Sequence, residues 1–89
     1  MEKYLVEYLG TVFFLYVIIA TGNPLAMGAA LAIAVYVGKN ISGGDYNPAV
    51  SIMMALSGKL SMSDLAPYII AQIAGALTVV ELYKRFPNN

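Results

Sequence analysis

Long apolar segments alternate with short polar ones along this chain. Residues 4–20 are apolar except at two positions, and at about 1.5 Å per residue a helix of that length just crosses the hydrocarbon core of a membrane. The Thr-Gly-Asn-Pro run at residues 21–24 has turn chemistry, so we expect the next helix, residues 25–37, to return antiparallel beside the first. A third long apolar run, residues 65–82, predicts another crossing helix.

The segment between the second and third of these helices has a different character. Residues 39–46 are polar and glycine-rich, and in bare lipid their backbone groups would lack partners, so we expect them at the surface or facing a cavity. Residues 47–56 begin with Asn47 as an N-cap and Pro48 at the first helical position. A helix of about 14 Å crosses only half a bilayer. The sequence therefore predicts an all-α membrane protein with three transmembrane helices and one re-entrant half-helix.

Small residues and tyrosines are also distributed in a pattern. Two pairs of small residues have a spacing that lets helix backbones approach closely, although glycine and alanine are common in membrane helices in any case: Gly28 with Ala32, and Ala71 with Gly75. Four tyrosines fall near the ends of the predicted crossings, where aromatic rings sit at the membrane interface: Tyr4, Tyr8, Tyr68 and Tyr83.

The composition supports a membrane protein and excludes several other classes. Apolar residues make up 60% of the 89 positions and charged ones only 11%, which is too apolar for a soluble domain of this size. Five basic residues balance five acidic ones, so no net charge favours nucleic acid as a partner. The chain has no cysteine and no histidine, and we expect no enzymatic activity, metal or cofactor. Glu7 interrupts the first apolar run and no cleavage site follows it, so we expect that segment to be retained.

A half-helix that begins inside a membrane has a direct physical use. Its first N–H groups lack acceptors within the helix, and its dipole places about half a positive charge at that end, which repels cations. Carbonyls of the preceding residues 42–46 would act as acceptors along a path, while the Asn47 amide donates to a passing oxygen. This arrangement orients a neutral solute such as water.

Three segments resemble the major intrinsic proteins, the family of aquaporins and glycerol facilitators. Residues 41–51 look like the first Asn-Pro-Ala loop of that family. Residues 7–11 are similar to its first-helix Glu-x-x-Gly-Thr, and residues 67–76 to its Pro-Tyr-x-x-Ala-Gln-x-x-Gly-Ala motif. The resemblance covers nearly the whole chain and identifies residues 1–89 as a single half-aquaporin domain.

The resemblance implies roles for individual residues. Glu7 and Gln72 would hydrogen-bond the backbone of the re-entrant loop and so brace it. The pore midplane would be formed by Asn47, Pro48 and Ala49. The carbonyls that line the path would come from Ser42, Gly43, Gly44, Asp45 and Tyr46.

The resemblance also predicts a partner. Family members are about twice as long and contain two inverted halves, so this chain would form an antiparallel homodimer around each pore, and family pores cluster in fours, which would give a tetramer of dimers. Basic residues are nearly balanced between the two ends of the predicted bundle, with Lys3, Lys39 and Lys59 on one side and Lys84 and Arg85 on the other. Insertion in both orientations is therefore expected, as a multi-pass protein of the cell or inner membrane.

Two positions depart from the family pattern. Val50 stands where most members carry an arginine in their second loop, so we expect a less polar filter, with an apolar constriction formed by Met27, Val35, Gly44 and Val50. Such a constriction admits small solutes, and water and glycerol are nearly equal candidates. Asp45 stands where first loops often have histidine; it would either place a carboxylate in each vestibule or, as we favour, satisfy local N–H groups in an Asx turn.

Two other functions remain open from the sequence. The chain is alternatively a non-conducting partner that modulates a full-length aquaporin, although a scaffold has no use for a polar loop at membrane depth. It is alternatively a small dual-topology exporter, which needs an exposed acidic side chain in the membrane to bind its cation, and Glu7 is the only strong candidate. Replacing Glu7 with Gln separates an exporter from a channel whose loop is braced by Glu7: the exporter would lose transport and keep its structure, whereas the channel would mainly lose its fold.

Overall fold

Four α-helices make up the fold in the computed structural model, which describes residues 1–87. The helices are α1 (Glu2–Thr21), α2 (Pro24–Gly38), α3 (Pro48–Leu56) and α4 (Met62–Arg85), and no strand occurs in this part of the chain. The bounds of α2 and α3 lie within a residue of the predicted ones. Helices α1 and α4 are longer than predicted because hydropathy marks the apolar part of a helix, and charged residues such as Lys84 and Arg85 continue α4 beyond it.

The helix ends follow from local sequence. The Asn23 side chain accepts a hydrogen bond from the N–H of Ala26 at 3.0 Å, and Pro24 follows at the first helical position. Helix α1 ends at Thr21 and is capped by Gly22, whose φ of 57° suits glycine, so the connection to α2 is very short. Helix α2 consequently returns along α1.

Helix α1 lies between α2 and α4, and it runs parallel to α4. Near the start of both helices Lys3 Nζ is 2.8 Å from Asp64 Oδ2, and further along the Tyr8 hydroxyl is 2.7 Å from Thr78 Oγ1. Close to the second contact the two helices approach closely, since a Cβ on Gly75 would lie only 3.0 Å from Thr11 Cβ. Gly75 thus has the packing role expected of the Ala71 and Gly75 pair.

The small residues of α2 that face α1 are not the predicted pair. Ala30, Ala34 and Gly38 are buried, at the spacing of four that places side chains on one helix face. Gly28 instead has no atom within 4 Å of a Cβ built on it, and Ala32 is exposed. The predicted pair is displaced by two residues, about 200° around the helix, and therefore lies on the opposite face.

Helix α3 begins at the level of the middle of α1 and α4. The chain leaves α2 at Gly38, whose built Cβ would lie 2.9 Å from Val6, and the loop then returns toward the centre. Asn47 borders the same groove as Leu15 of α1 and Ala76 of α4, each more than halfway along its helix. From there α3 runs back toward the end of the bundle where α1 begins.

Two of the helices are long and apolar enough to cross a membrane by length and composition, α1 and α4, and α2 is a shorter apolar helix of 15 residues. Only 11% of the apolar stretch of α1 and 22% of that of α4 is buried inside the chain. Most apolar side chains therefore face outward, toward lipid or another protein.

Candidate functional site

The loop before α3 is organised around one carboxylate. Glu7 has no exposed surface, and its oxygens accept four hydrogen bonds. Two come from backbone N–H groups, Asp45 at 3.1 Å and Tyr46 at 2.8 Å. The others come from Ser42 Oγ at 2.7 Å and Gln72 Nε2 at 3.0 Å. Every partner except Gln72 belongs to the loop, so α1 holds the loop backbone directly.

Gln72 reaches the loop indirectly. Its Nε2 donates to Glu7 Oε1 and, at 2.9 Å, to Ser51 Oγ, and not to the loop backbone as the family resemblance implied. Both partners of this amide nitrogen are side chains, and both of those side chains contact the loop. Gln72 therefore orients the groups that hold the loop.

Asp45 differs from the expected Asx turn. Its Oδ2 accepts a hydrogen bond of 2.7 Å from Ser51 Oγ in the first turn of α3, and the residue is only 6% exposed. The bonds thus form a chain from Glu7 through Gln72 and Ser51 to Asp45. No salt bridge within residues 1–87 involves either carboxylate.

Tyr46 fixes the end of the loop against α1 and α2. Its φ is 55°, an uncommon value for a residue other than glycine, and its ring is buried. The ring occupies the space that a Cβ on Gly10 would need, and its hydroxyl the space beside Gly38. That hydroxyl donates to the Ala34 carbonyl at 2.6 Å. Gly10 and Gly38, which lie on separate helices, therefore leave the space that the Tyr46 side chain occupies.

The loop carbonyls are used unequally. The Ser42 carbonyl accepts a 2.6 Å hydrogen bond from the Tyr68 hydroxyl, so this carbonyl is directed into the protein. Tyr68 is 2% exposed and is not the interfacial aromatic that its place near a helix end suggested. By contrast, none of the hydrogen bonds found in residues 1–87 uses the carbonyls of residues 43–46.

Asn47 lies at the tip of α3, and one of the two polar atoms of its side chain is hydrogen-bonded. Its Oδ1 accepts from the N–H of Ala49 at 2.8 Å, which satisfies one of the free donors of the helix. The residue is exposed, and Pro48 follows at the first helical position. With Oδ1 used as the cap, Nδ2 is the group left to donate outward.

The four residues assigned to a constriction do not gather at one level in a single chain. A Cβ on Gly44 would lie 3.3 Å from Val35 Cα, so those two positions meet. Met27 lies about 12 Å from Val35 along the axis of α2, toward its start, at about 1.5 Å per residue. Val50 lies in the first turn of α3. Their role in a constriction stays a prediction for an assembled pore.

A groove of about 200 Å³ lies beside the tip of α3, between α1 and α4. Asn47 and Pro48 line this groove, and so do Thr11 and Gln72. Thr11 Oγ1 and Gln72 Oε1 are buried and have no hydrogen-bond partner in the described part of the chain. Buried polar atoms of this kind normally find a partner, so these two are unsatisfied within the described part of the chain.

Sequence reasoning missed two residues of this site, Ser51 and the ring of Tyr46. Ser51 is the one polar residue in α3, and its full burial reflects the need of a hydroxyl in an apolar helix for a partner. A single polar residue in an apolar helix is therefore a signal from which the burial of Ser51 could have been predicted. The pairing of Tyr46 with Gly10 and Gly38 joins positions far apart in sequence, and no local pattern reveals it.

The fold and the loop together define an all-helical membrane protein in which a short helix begins, with an Asn-Pro tip, between longer apolar helices. The family model of the major intrinsic proteins matches residues 1–89. The chain belongs to this family, whose members are integral membrane channels rather than enzymes.

Curated relatives give the same assignment. The chain is 40% identical to "Glycerol uptake facilitator protein-like 6" of Lactiplantibacillus plantarum, over 97% of this chain and 44% of that protein. It is 49% identical to "Aquaglyceroporin AqpS" of Rhizobium meliloti, over 62% and 24%, and 35% identical to "Aquaporin Z" of Rhodopseudomonas palustris, over 91% and 40%. The chain thus spans less than half the length of these relatives. No solved structure matches the chain significantly.

Proposed function

We propose that this chain is one half of a passive channel for water and small neutral solutes such as glycerol, and that two inverted copies enclose each pore. The observation that carries the proposal is the position of Asn47, exposed at the tip of α3 and level with the middle of α1 and α4. In a bilayer, α1, α2 and α4 would then cross and α3 would be re-entrant. A tip at that depth needs a second wall, and a second copy supplies it.

The chemistry of the loop supports a path for neutral solutes. Asn47 Nδ2 is the amide group left to donate, and the carbonyls of Gly43, Gly44, Asp45 and Tyr46 accept no hydrogen bond within residues 1–87. Together they would supply the donor and the acceptors that water or a polyol requires. We leave Ser42 out of the proposed pore-lining carbonyls because its carbonyl already accepts a hydrogen bond from Tyr68. Pro48 and Ala49 hold the tip geometry.

The bonding of Glu7 favours a channel over an exporter. An exporter's acidic side chain has to exchange its cation with solvent, whereas Glu7 is fully buried and accepts four hydrogen bonds. Its carboxylate is committed to the loop. A polar loop held in place by hydrogen bonds to Glu7 and Tyr68 likewise supports a conducting role over that of a non-conducting scaffold.

Several features support pairing of inverted copies. Large apolar side chains such as Leu25, Tyr36 and Leu56 are 76–84% exposed. Parallel α1 and α4 put Lys3 and Lys59 toward one end and Lys84 and Arg85 toward the other, so the positive charge that sets orientation is nearly balanced. A tetramer of such dimers is the larger assembly proposed.

The proposal is tested by replacing Asn47 with Phe in protein reconstituted into liposomes. We expect water shrinkage and glycerol re-swelling after an osmotic step to fall to the rate of empty vesicles, because the ring fills the space at the tip. Light scattering in a stopped-flow instrument measures both rates.

Asn23→Phe is the matched control. Asn23 also precedes a proline, caps a helix and is exposed, but it lies in the turn between α1 and α2. Each variant loses a cap worth about 1 kcal/mol, so stability changes alike and only location differs. Equal loss of flux in both variants, or normal flux in Asn47→Phe, would contradict the assignment.

A further inference from the structure

Helix α3 is packed from one side only. Among the helices of residues 1–87, α3 packs closely against α4 and lies further from α1 and α2. Its two buried residues, Ser51 and Ala55, are four positions apart and therefore share one face. Ile52 and Met53, on other faces of α3, are 42% and 56% exposed. Apolar packing within this chain therefore leaves α3 free to move away from α4, and other contacts have to fix its position.

Two hydrogen bonds meet on the buried face of α3. Ser51 Oγ accepts from Gln72 Nε2 of α4 at 2.9 Å and donates to Asp45 Oδ2 of the loop at 2.7 Å. Ser51 has no exposed surface and Asp45 is 6% exposed, so water does not readily replace either bond. The Ser51 hydroxyl therefore joins the loop, α3 and α4 at one point.

These bonds enclose the tip of α3. Asp45 comes two residues before Asn47 and Ser51 comes four residues after it, so the Asp45–Ser51 bond closes the chain across the base of the tip. Glu7 holds the same segment from α1, through the N–H of Asp45 at 3.1 Å. That contact uses the backbone of Asp45, and replacing the Asp45 side chain leaves its donor in place.

The direction in which the bonds act follows from the packing. Gln72 and Ser51 hold the first turn of α3 toward α4, and Asn47 is exposed at the tip. In the proposed pore the solute passes along that exposed side of Asn47. Without the bonds the first turn can move away from α4 and into the path, which narrows it. A narrower path excludes glycerol before it excludes the smaller water molecule.

We propose that Asp45 and Ser51 are positioning residues that determine the size of solute admitted: their hydrogen bond, anchored on α4 by Gln72, holds the tip of α3 back and keeps the path wide enough for glycerol. This inference rests on the proposed function, because it needs the tip to line a path. Both side chains are buried and act on the solute through the placement of Asn47.

The test compares Asp45→Ala with Asp45→Asn in liposomes, measuring water shrinkage and glycerol re-swelling on the same vesicles. The ratio of the two rates does not depend on how many channels have folded. Both variants remove the carboxylate, but only asparagine keeps an acceptor oxygen for Ser51. We expect the glycerol-to-water ratio to fall at least about fivefold in Asp45→Ala, since a misfit of one methylene group changes selection by roughly tenfold or more. Asparagine should restore most of the ratio.

Tyr4→Phe is the matched control. It removes another hydroxyl-to-carboxylate hydrogen bond of 2.7 Å, between Tyr4 and Asp64, at the end of the bundle where α1 and α4 begin. This variant loses the same kind of bond between elements and should keep the wild-type ratio, because the bond is remote from the tip of α3.

The outcomes separate this inference from the proposed function. An unchanged ratio in Asp45→Ala, an equal fall in Asp45→Asn, or an equal fall in Tyr4→Phe overturns the inference alone. Absence of both fluxes in the wild-type protein overturns both. If Asp45→Ala does not fold, Ser51→Ala decides, because it removes the hydroxyl that makes both bonds. A lowered ratio in Ser51→Ala supports the inference, and an unchanged one contradicts it.

Discussion

Replacing Glu7 with Gln is expected to unfold the loop and abolish flux. An amide in place of the carboxylate presents N–H groups where Ser42 Oγ and the Asp45 N–H now donate, so at least one donor meets another donor. Hydrogen bonds to a charged group contribute about 1.5–3 kcal/mol each, and we expect a loss of about 3 kcal/mol or more in unfolding free energy. Unfolding of the purified protein in mixed micelles with increasing SDS, followed by circular dichroism, measures it.

Glu81→Gln provides the control for this change. The Glu81 side chain is 58% exposed and pairs only loosely with Lys84 and Arg85, at 3.6 and 3.7 Å. Its replacement should alter stability by less than about 0.5 kcal/mol. A Glu7→Gln protein that keeps full stability and loses only transport would identify an exporter rather than a channel with a braced loop.

Gly10→Ala is expected to displace the Tyr46 ring. The added methyl group would overlap the ring, which cannot withdraw because its hydroxyl bonds the Ala34 carbonyl and lies against Gly38. Overpacking of this kind costs about 1–3 kcal/mol. The same unfolding assay should show that loss, and Gly28→Ala, where no atom lies within 4 Å of the new methyl group, should not be destabilising.

A double-mutant cycle identifies the cause of the Gly10 effect. In a Tyr46→Leu background the ring is absent, so adding Gly10→Ala should cost at least about 1 kcal/mol less than it does in the wild type. Equal costs in the two backgrounds would show that Gly10 is required for a reason other than the tyrosine.

The sequence was sufficient for elements whose causes are local. Asn47, Pro48 and the stop after Leu56 define α3 within a residue, because caps and prolines act on their own helix. The polar residue Glu7 in an apolar run predicted a buried hydrogen-bond partner, and the N–H of Tyr46 is one. Such signals do not depend on which helices become neighbours.

Relations between distant segments were not predictable in the same way. The stripe that faces α1 is Ala30, Ala34 and Gly38 rather than Gly28 and Ala32, and both stripes have the same spacing. Choosing between them requires the rotation of α2, which the tertiary contacts determine. Tyr68 likewise resembled an interfacial tyrosine, and its burial depends on where the Ser42 carbonyl lies.

The meeting of two inverted tips is tested most directly by cross-linking. The chain has no cysteine, so Ala49→Cys introduces a single thiol at the exposed start of α3, and Ala66→Cys introduces one on the exposed side of α4. In sealed membrane vesicles, a short bifunctional thiol reagent should join Ala49→Cys copies into dimers and leave Ala66→Cys copies as monomers. Each dimer should carry one C-terminal tag that protease removes from outside and one that is protected. Monomers only, or dimers with both tags on the same side, would contradict the two-copy pore.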